Sequence, residues 1–335
     1  MALLISRAIL HIINNTGAQS HFSNQELDVD SETIIEFVGK HVRRLMNNPS
    51  AREATFSAES EAYSLVKAYQ KGDIYFKDMS MSLCQRLEAI MDENKDITPA
   101  DILVVAFENG KNSYLAVLKL SYSECFTHQI IEGESGIENR IVKNTAVLPI
   151  SGSKVEEACL IPYDPMVLRV LEKPYMINGE ETLYFSKLFL ECETEMSKKE
   201  AADILKEISE EVNAKYFDKS VELAAKLKSE IINEADIAGD DALDIDNVAK
   251  RVFSENEEAK AEFVQLAREY GLPNDLKLDK SFVQRTFKTQ TFKADNGIEI
   301  KFPAELSSDP DVMQFSANSD GTFSITLKNL RRNAQ

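Results

Sequence analysis

The chain has 335 residues, and its 38 lysines and arginines against 56 aspartates and glutamates give a formal net charge of −18. This balance excludes a uniformly basic protein that coats nucleic acid, so any polyanion would have to meet a local basic patch. Hydrophobic residues make up 43% and charged residues 28% of the chain. Such a composition is typical of a folded globular protein and excludes general disorder.

Strand and helix patterns follow one another in the first 120 residues. The apolar N-terminus predicts a first strand rather than a signal peptide, because Arg7 and His11 interrupt it and no small-residue cleavage site follows. Residues 101–120 form two β-rich runs about Asn109-Gly110, a dipeptide whose left-handed backbone geometry suits a tight hairpin turn. Between these strands, apolar residues at three- and four-residue spacing predict helices over 31–48, 57–70 and 74–91.

Further β-rich runs follow the hairpin without helices between them. They predict strands over 125–131, 140–150, 155–162 and 182–190. Strands that neighbour one another in sequence favour an antiparallel layer over a doubly wound parallel sheet, whose strands alternate with helices. The sequence therefore predicts an α+β fold, with an N-terminal domain of mixed helices and antiparallel sheet over residues 1–190.

An acidic helical region is predicted over residues 191–275. Residues 191–262 hold 21 acidic against 10 basic side chains, which is more than half of the excess negative charge of the chain. Apolar stripes in this region indicate helices over 201–212, 221–232, 248–253 and 261–266. Two interpretations stay open: a solvated helical bundle, or a negative surface that mimics DNA or recruits a basic partner.

The charge changes sign in the last segment, residues 276–335, which we predict to be a small basic domain of β-hairpins. Residues 276–293 carry five basic side chains against the single acid Asp279. Two hairpins follow, with turns predicted at Asp295-Asn296-Gly297 and at Asp320-Gly321. The candidate DNA-binding residues are the cations of this segment and of the chain end: Lys277, Lys280, Arg285, Lys288, Lys293, Arg331 and Arg332.

Three phenylalanines, Phe282, Phe287 and Phe292, interleave these cations at five-residue steps. Exposed rings would stack on unpaired bases while the neighbouring cations neutralise phosphates. Alternatively, the rings belong to the core and the lysines only point outward. The exposure of the rings separates the two interpretations.

The sequence carries no motif of catalysis or metal binding. The four histidines lie at no spacing typical of metal ligands, and neither a glycine-rich phosphate loop nor a nucleophile elbow is present. The four cysteines lie more than thirty residues apart, so a reduced, cytosolic protein is expected. The run GDDALDIDN at 239–247 fails the register of a calcium loop, and helix capping by Asp244 or Asp246 accounts for it. We therefore expect no catalytic residue, no metal and no cofactor, and no apolar run approaches the roughly 20 residues of a membrane-spanning helix.

Several segments match one known family in the same order along the chain. They are FSAESEAYSLVKAYQKGD at 56–73, an amphipathic helix ending in QRLEAI, the hairpin ILVVAFENGKNSYLAVLKL, and the tail segments TFKADNGIEIKFPAEL and SDGTFSITLKNL. With these segments the sequence resembles the bacterial nucleoid-associated protein family called NdpA. The resemblance implies a cytoplasmic protein that is found with the compacted chromosome, associates with DNA and has no established enzymatic activity. The family is not defined by catalytic residues, so the resemblance assigns none.

Three functional hypotheses follow from these patterns. The first is a nucleoid-associated protein that contacts DNA phosphates through the basic segment with little sequence preference, and a symmetric homodimer would double the patch. The second is an acidic adaptor that reaches the nucleoid by binding a DNA-processing protein through helices around 200–262. The third, an enzyme with carboxylate-bound magnesium, requires carboxylates that converge in a cleft.

Overall fold

The computed structural model of the protein describes residues 3–133, 136–239, 242–318 and 322–331. The chain divides into two compact units, residues 1–197 and residues 198–335. Both units combine helices with antiparallel strands, which confirms the predicted α+β fold.

The first unit is built on an antiparallel sheet. Its described helices and strands are, in chain order, β1 (Leu3–Ile13), α1 (Glu32–Met46), β2 (Arg52–Phe56), α2 (Glu61–Lys71), α3 (Phe76–Glu93), β3 (Ala100–Asn109), β4 (Asn112–Ser121), β5 (Ser123–Gly133), β6 (Gly136–Val147), β7 (Glu157–Pro162), β8 (Leu168–Leu171), β9 (Tyr175–Ile177), β10 (Glu180–Thr182) and β11 (Cys192–Thr194). Seven of these strands form one sheet in the order β1-β3-β4-β7-β8-β2-β11, and every neighbouring pair is antiparallel.

The strand β3, which lies between β1 and β4 in the sheet, is covered on both faces. Ile102 and Val104 lie in the core that includes α2 and α3, whereas Leu103 and Val105 lie in the core that includes α1. Because both faces are buried, the strand is a continuous apolar run instead of an alternating one. The predicted hairpin with β4 is confirmed, and Gly110 adopts the left-handed conformation of its turn, with φ of 68°.

The three helices predicted in this unit are confirmed, with ends that differ from the prediction by up to four residues. Ser60 caps α2, because its side chain accepts a hydrogen bond from the Tyr63 backbone N–H at 3.0 Å. Gly72, in the left-handed conformation, follows the last turn of the same helix. Capping by Ser60 places the start of α2 at Glu61 and leaves residues 57–60 outside it.

The strand predicted over 182–190 is wrong. β10 ends at Thr182, and Phe185–Leu190 form a short helical turn of the π type. Phe185 and Phe189 are both buried in the core. Their four-residue spacing brings two side chains to one side of a helical turn, and the sequence analysis read the same apolar residues as a strand.

β5 and β6 form a two-stranded ribbon that is separate from the main sheet. In sequence the ribbon lies between β4 and β7, which are neighbouring strands of that sheet. The strands predicted over 125–131 and 140–150 are confirmed as β5 and β6, although β6 begins earlier and ends at Val147.

The second unit contains the acidic helices, the basic segment and the C-terminal hairpins. Its described elements are α4 (Lys198–Tyr216), α5 (Val221–Ala238), β12 (Leu243–Asp244), α6 (Ile245–Val252), α7 (Glu257–Glu269), β13 (Asp275–Leu276), α8 (Lys280–Phe287), β14 (Thr289–Lys293), β15 (Glu299–Pro303), β16 (Met313–Ala317) and β17 (Phe323–Leu327). The helices predicted in the acidic region are confirmed as α4 to α7. All five helices contribute to one core, with Leu205, Ile231, Phe263 and Phe282 among its buried residues.

The two C-terminal hairpins, β14–β15 and β16–β17, pack on α5. Phe302 and Met313 form a small cluster with Ala225 of that helix. The predicted turn of the first hairpin is confirmed by Gly297, whose φ is 87°, whereas the predicted turn at Asp320-Gly321 lies outside the described residues. The division of this part of the chain into an acidic region, 191–275, and a basic domain, 276–335, stays a prediction.

Candidate nucleic-acid interface

The basic segment, residues 276–293, includes the helix α8 and the strand β14. Asp279 caps α8, because its side chain accepts a hydrogen bond from the Phe282 N–H at 2.8 Å. It also accepts one from Lys198 Nζ at 2.7 Å. Burial raises the pKa of Asp279, but hydrogen bonds from Lys198, Ser281 and Phe282 outweigh this effect and lower the pKa to about 2. The only carboxylate of the segment is therefore ionised and engaged by local donors.

The phenylalanines of the segment anchor it to the core. Phe282 is 5% exposed and Phe287 is 1% exposed, and both lie in the helical core of the second unit. Phe292, on β14, is half-buried. The base-stacking interpretation is therefore wrong for Phe282 and Phe287, and their assignment to the core is confirmed. Their burial fixes the orientation of α8, so that its polar side meets solvent.

The cations of the segment are all exposed: Lys277, Lys280, Arg285, Lys288 and Lys293. Two of them have acidic neighbours, since Lys280 Nζ lies 3.2 Å from Asp236 Oδ1 and Lys293 Nζ lies 3.5 Å from Glu299 Oε2. Within the described parts of the chain, the other three have no ion pair and no side-chain hydrogen bond. Three cations are therefore open to an external anion.

Lys301 extends this positive surface and was missed by the sequence analysis. Lys293 pairs with Glu299 across β14 and β15, and Lys301 lies two residues further along β15, so the three side chains share one face of the hairpin. Glu299 Oε1 lies 3.0 Å from Lys301 Nζ, and this contact lowers the pKa of Glu299. The single carboxylate of Glu299 thus pairs with two lysines, so this face of the hairpin has an excess of positive charge.

The last two candidates, Arg331 and Arg332, belong to the C-terminal end of the sequence. Arg331 is exposed and follows β17, the last strand, while Arg332 lies outside the described residues. Five of the seven predicted residues therefore occur on or beside the consecutive elements β13, α8 and β14, and Arg331 occurs on a separate part of the second unit.

A cavity of about 190 Å³ opens at the junction of α4, α5 and the α8–β14 connection, and Lys206 and Lys228 line it. Lys206 Nζ lies 5.7 Å from the centre of the Phe287 ring and 3.2 Å from Asp203 Oδ1. Lys228 Nζ donates a hydrogen bond to the Thr289 carbonyl at 3.1 Å. No sequence signal marks the two lysines, because they belong to acidic helices and only tertiary packing brings them to the basic segment.

The polar groups that line this cavity include the carboxylate of Glu210 as well as the two lysines. Burial lowers the pKa of Lys228, nearby Lys206 lowers it further, and Glu210 opposes the shift. The side-chain oxygens of Asn213 and Gln290, two other lining residues, are buried and have no hydrogen-bond partner among the described residues. The unused oxygens favour a hydrogen-bond donor, whereas the two lysines and Glu210 give the cavity charges of both signs.

Other sequence predictions concern metals and membranes. Asp244 caps α6 by accepting a hydrogen bond from the Asn247 N–H at 3.0 Å, which confirms the capping interpretation of the run at 239–247. In the four described ranges, no group of three or more His, Cys, Asp or Glu side chains is placed to hold a metal ion. No helix of the same ranges is long and apolar enough to span a bilayer.

The known proteins that are similar to this chain share one description. Residues 9–335 match the family described as nucleoid-associated protein YejK. In addition, 127 residues are 29% identical to a nucleoid-associated protein of Pseudomonas paraeruginosa (strain DSM 24068 / PA7), and this alignment covers 36% of the chain and 37% of that protein. The chain thus spans little more than a third of the length of this curated relative, whereas the family match covers nearly the whole chain. Both findings confirm the resemblance seen in the sequence, and the chain belongs to the family of nucleoid-associated proteins.

Proposed function

We propose that this protein is a non-enzymatic, cytoplasmic DNA-binding component of the nucleoid that contacts the phosphate backbone with little sequence preference. The observation that carries the proposal is that α8 has a buried apolar side and an exposed side with basic residues. Phe282 and Phe287 anchor the helix in the core, while the cations of residues 276–293 are exposed. A segment that is anchored in the core and presents three cations unpaired among the described residues, Lys277, Arg285 and Lys288, is suited to neutralising phosphates.

The proposed contact set is broader than the basic segment. It comprises the seven candidate residues of the sequence analysis together with the lysines that the structure adds: Lys206, Lys228 and Lys301. Contacts of this type position a protein on the duplex without reading its sequence, because they reach phosphates and not base edges. The buried rings of the segment offer no stacking surface that would favour one base over another.

The net charge of −18 limits the strength of this binding. The chain as a whole repels DNA at long range, and the basic segment attracts it only at short range. We therefore expect weak, strongly salt-dependent binding. A symmetric homodimer is part of the proposal. Its two basic segments would contact DNA together, which strengthens binding even if each segment contacts phosphates as it does in the monomer.

Fluorescence anisotropy with labelled duplex and single-stranded DNA over a salt series tests this proposal. The logarithm of the affinity should fall linearly with the logarithm of the salt concentration at moderate salt, with a slope of about 0.9 per neutralised phosphate for the duplex. The variant Lys277→Glu/Lys280→Glu/Lys288→Glu should lose binding, because it places three carboxylates where phosphates would lie.

The matched control is Lys71→Glu/Lys95→Glu/Lys111→Glu, which changes the net charge by the same amount at exposed positions of the first unit. This control should keep most of the affinity of the wild-type protein. Equal losses in both variants would mean that net charge, and not the basic segment, governs binding. Unchanged affinity in the first variant would refute the assignment of the segment.

A second function is favoured by the acidic surface of α4 and α7. Glu207 and Glu211 raise the pKa of Tyr270 by their negative charge, so carboxylates cluster around this exposed ring. Such a surface suits an adaptor that binds a basic face of a DNA-processing protein. In that case the purified protein would not bind DNA at low salt, and its co-purification with the DNA-processing protein would depend on Glu207 and Glu211 and survive nuclease digestion. Loss of the co-purified partner on nuclease treatment would contradict the adaptor.

A further inference from the structure

The ribbon of β5 and β6 is a long antiparallel hairpin without a second layer in the described structure. Its strands have 11 and 12 residues and form their own two-stranded sheet. The described residues of β6 are exposed along almost their whole length. An isolated two-stranded hairpin is only marginally stable in water, and further strands or a covering surface are normally required.

One face of the ribbon is apolar. Residues that are directly opposite in the register share a face, and the pairs on this face are Phe126 with Lys143, His128 with Ile141, Ile130 with Asn139, and Glu132 with Ile137. The four apolar side chains of these pairs are 71% (Phe126), 81% (Ile141), 58% (Ile130) and 70% (Ile137) exposed. An exposed apolar patch of this kind on a folded protein marks a contact surface.

The opposite face is mainly polar. It carries Thr127, Gln129, Glu138 and Arg140, and the last two form an ion pair at 2.7 Å. Its apolar members, Ile131 and Val142, are less exposed than the residues of the other face. The ribbon is therefore amphipathic, and only one of its faces requires a cover.

We propose that the apolar face of the ribbon packs on the same face of a second copy of this chain. From the base of the ribbon to its tip, the apolar member of each pair alternates between the strands: Phe126 on β5, Ile141 on β6, Ile130 on β5 and Ile137 on β6. The face is thus a checkerboard of apolar and polar positions. When two such faces meet about a twofold axis, every apolar side chain of one copy lies opposite a polar position of the other. The apolar side chains of the two copies then interdigitate.

Charge selects the relative direction of the two ribbons. Lys143, whose Nζ lies 2.8 Å from Glu124 Oε1 of the same chain, lies near the base of the apolar face, and Glu132 lies near its tip. If the ribbons run in the same direction, lysine meets lysine and glutamate meets glutamate. If they run in opposite directions, Lys143 of each copy lies beside Glu132 of the other. The antiparallel arrangement is therefore the one that we infer.

Charge also argues against DNA as the partner of this face. Residues 123–147 contain four glutamates against one arginine and one lysine, so the ribbon is net negative. A duplex would meet repulsion there, whereas a second ribbon supplies both the apolar side chains and the opposite charges. The inference deepens the homodimer of the proposed function by naming its interface, and its test does not require DNA.

Sedimentation equilibrium of the full-length protein tests the interface. The wild-type protein should approach twice its chain mass of 37.7 kDa as its concentration rises. The variant Ile130→Thr/Ile141→Thr keeps residues that favour strands but removes four large apolar side chains from each symmetric interface. Its dissociation constant should rise by more than about 100-fold. The control Val142→Thr/Ile150→Thr alters one residue of the opposite face and one exposed residue beyond the ribbon, and it should dimerise as the wild type does.

Zero-length carbodiimide crosslinking tests the direction of the ribbons. Lys143 and Glu132 of the same chain lie about 20 Å apart along the ribbon, because the pair partner of Glu132 is six residues from Lys143. Within one chain they are therefore too distant to form an amide bond. Mass spectrometry of mixed light and heavy isotope-labelled protein should detect a Lys143–Glu132 crosslink between copies.

Several results would overturn the inference. They are a wild-type protein that stays at 37.7 kDa at all concentrations, a threonine variant that dimerises as well as the wild type, and a Lys143–Lys143 proximity without the expected crosslink. A protein that is monomeric without DNA, and whose threonine variant loses DNA affinity, would assign the face to DNA instead. A dimer that persists while DNA binding is absent would leave the interface standing and refute only the DNA-binding function.

Discussion

Acidification is expected to destabilise the first unit through one buried histidine. His11 lies on β1 without solvent exposure. Its Nδ1 accepts a hydrogen bond from the Ser23 backbone N–H at 3.1 Å, so this nitrogen carries no proton. The proton is therefore on Nε2, which donates to the Ser80 hydroxyl at 3.1 Å, and that hydroxyl donates in turn to the Lys77 carbonyl at 2.8 Å. A second proton on the ring would place two donors face to face at Nδ1.

The magnitude follows from the pKa of this group. Burial lowers the pKa of His11 from its ordinary 6.5 to about 4. As the pH falls, the unfolded chain takes up the proton first, so the contribution to stability is complete above pH 6.5 and is lost progressively down to pH 4. One proton corresponds to about 1.4 kcal/mol per pH unit, so the full loss is about 3 kcal/mol. Between pH 7.5 and pH 5.5 the same relation gives about 1.3 kcal/mol.

Urea titrations followed by circular dichroism at pH 7.5 and pH 5.5 measure this loss. The variant His11→Asn offers an oxygen to the Ser23 N–H but cannot take up a proton in this range, so its free energy of unfolding should fall less steeply with pH. The control His21→Asn replaces an exposed histidine and should retain the wild-type pH dependence. Equal pH dependence in wild type and His11→Asn would refute the reasoning, whatever the absolute stability of the variant.

Five other variants separate structural from DNA-binding roles. Lys119 and Glu157 form a fully buried ion pair at 2.7 Å, so Lys119→Met should lower the free energy of unfolding by about 3 to 5 kcal/mol in thermal denaturation. The double variant Lys119→Met/Glu157→Leu should lose less than the sum of its two single changes, and additive losses would contradict a coupled pair. Phe287→Ala should cost about 3 to 5 kcal/mol in denaturant titrations, since the ring is buried. Lys228→Met should lower the salt slope of DNA binding by about one, and an unchanged slope would exclude its contact with phosphate. Asp279→Asn retains a capping oxygen but removes the only negative charge of the basic segment, so anisotropy should show tighter binding at low salt.

The parts of the fold that were predicted correctly are those whose pattern is local. The hairpin at 101–120 carries its own turn signal in Asn109-Gly110, and the amphipathic helices carry their burial in their spacing. The turn at 185–190 failed because six residues are too few to separate a helical from a strand period when both place apolar residues inside. The helix α8 has a readable signal, with Asp279 as its cap and Phe282, Val283 and Phe287 on its buried side. The sequence analysis used this segment only for its charge, to which Lys280 and Arg285 contribute.

The candidate site was predictable only in part for a different reason. Lys277 to Lys293 are close in sequence, so composition alone identifies them as a basic segment. Lys206 and Lys228 come from helices that carry an acidic excess, and their approach to the segment depends on how α4, α5 and α8 pack. The ribbon is similar, since alternation along β5 and β6 indicates two faces but says nothing of which face another layer covers. Only the tertiary structure shows that the apolar face is exposed, and this exposure is what identifies it as a candidate interface.

The distribution of charge in the second unit should also change how the affinity for DNA depends on salt. At physiological ionic strength the Debye length is about 8 Å, so a phosphate at α8 interacts mainly with the cations beside it. At 0.01 M salt the Debye length grows to about 30 Å, and the carboxylates of α4 to α7, which share a core with α8, also act on the DNA. Lowering the salt therefore strengthens the attraction between DNA and the cations beside α8. It also extends the repulsion between DNA and the carboxylates of α4 to α7. The log–log plot of affinity against salt should flatten at low salt for the wild-type protein, and replacing Glu207 and Glu211 by glutamine should make it straighter without changing the slope at high salt.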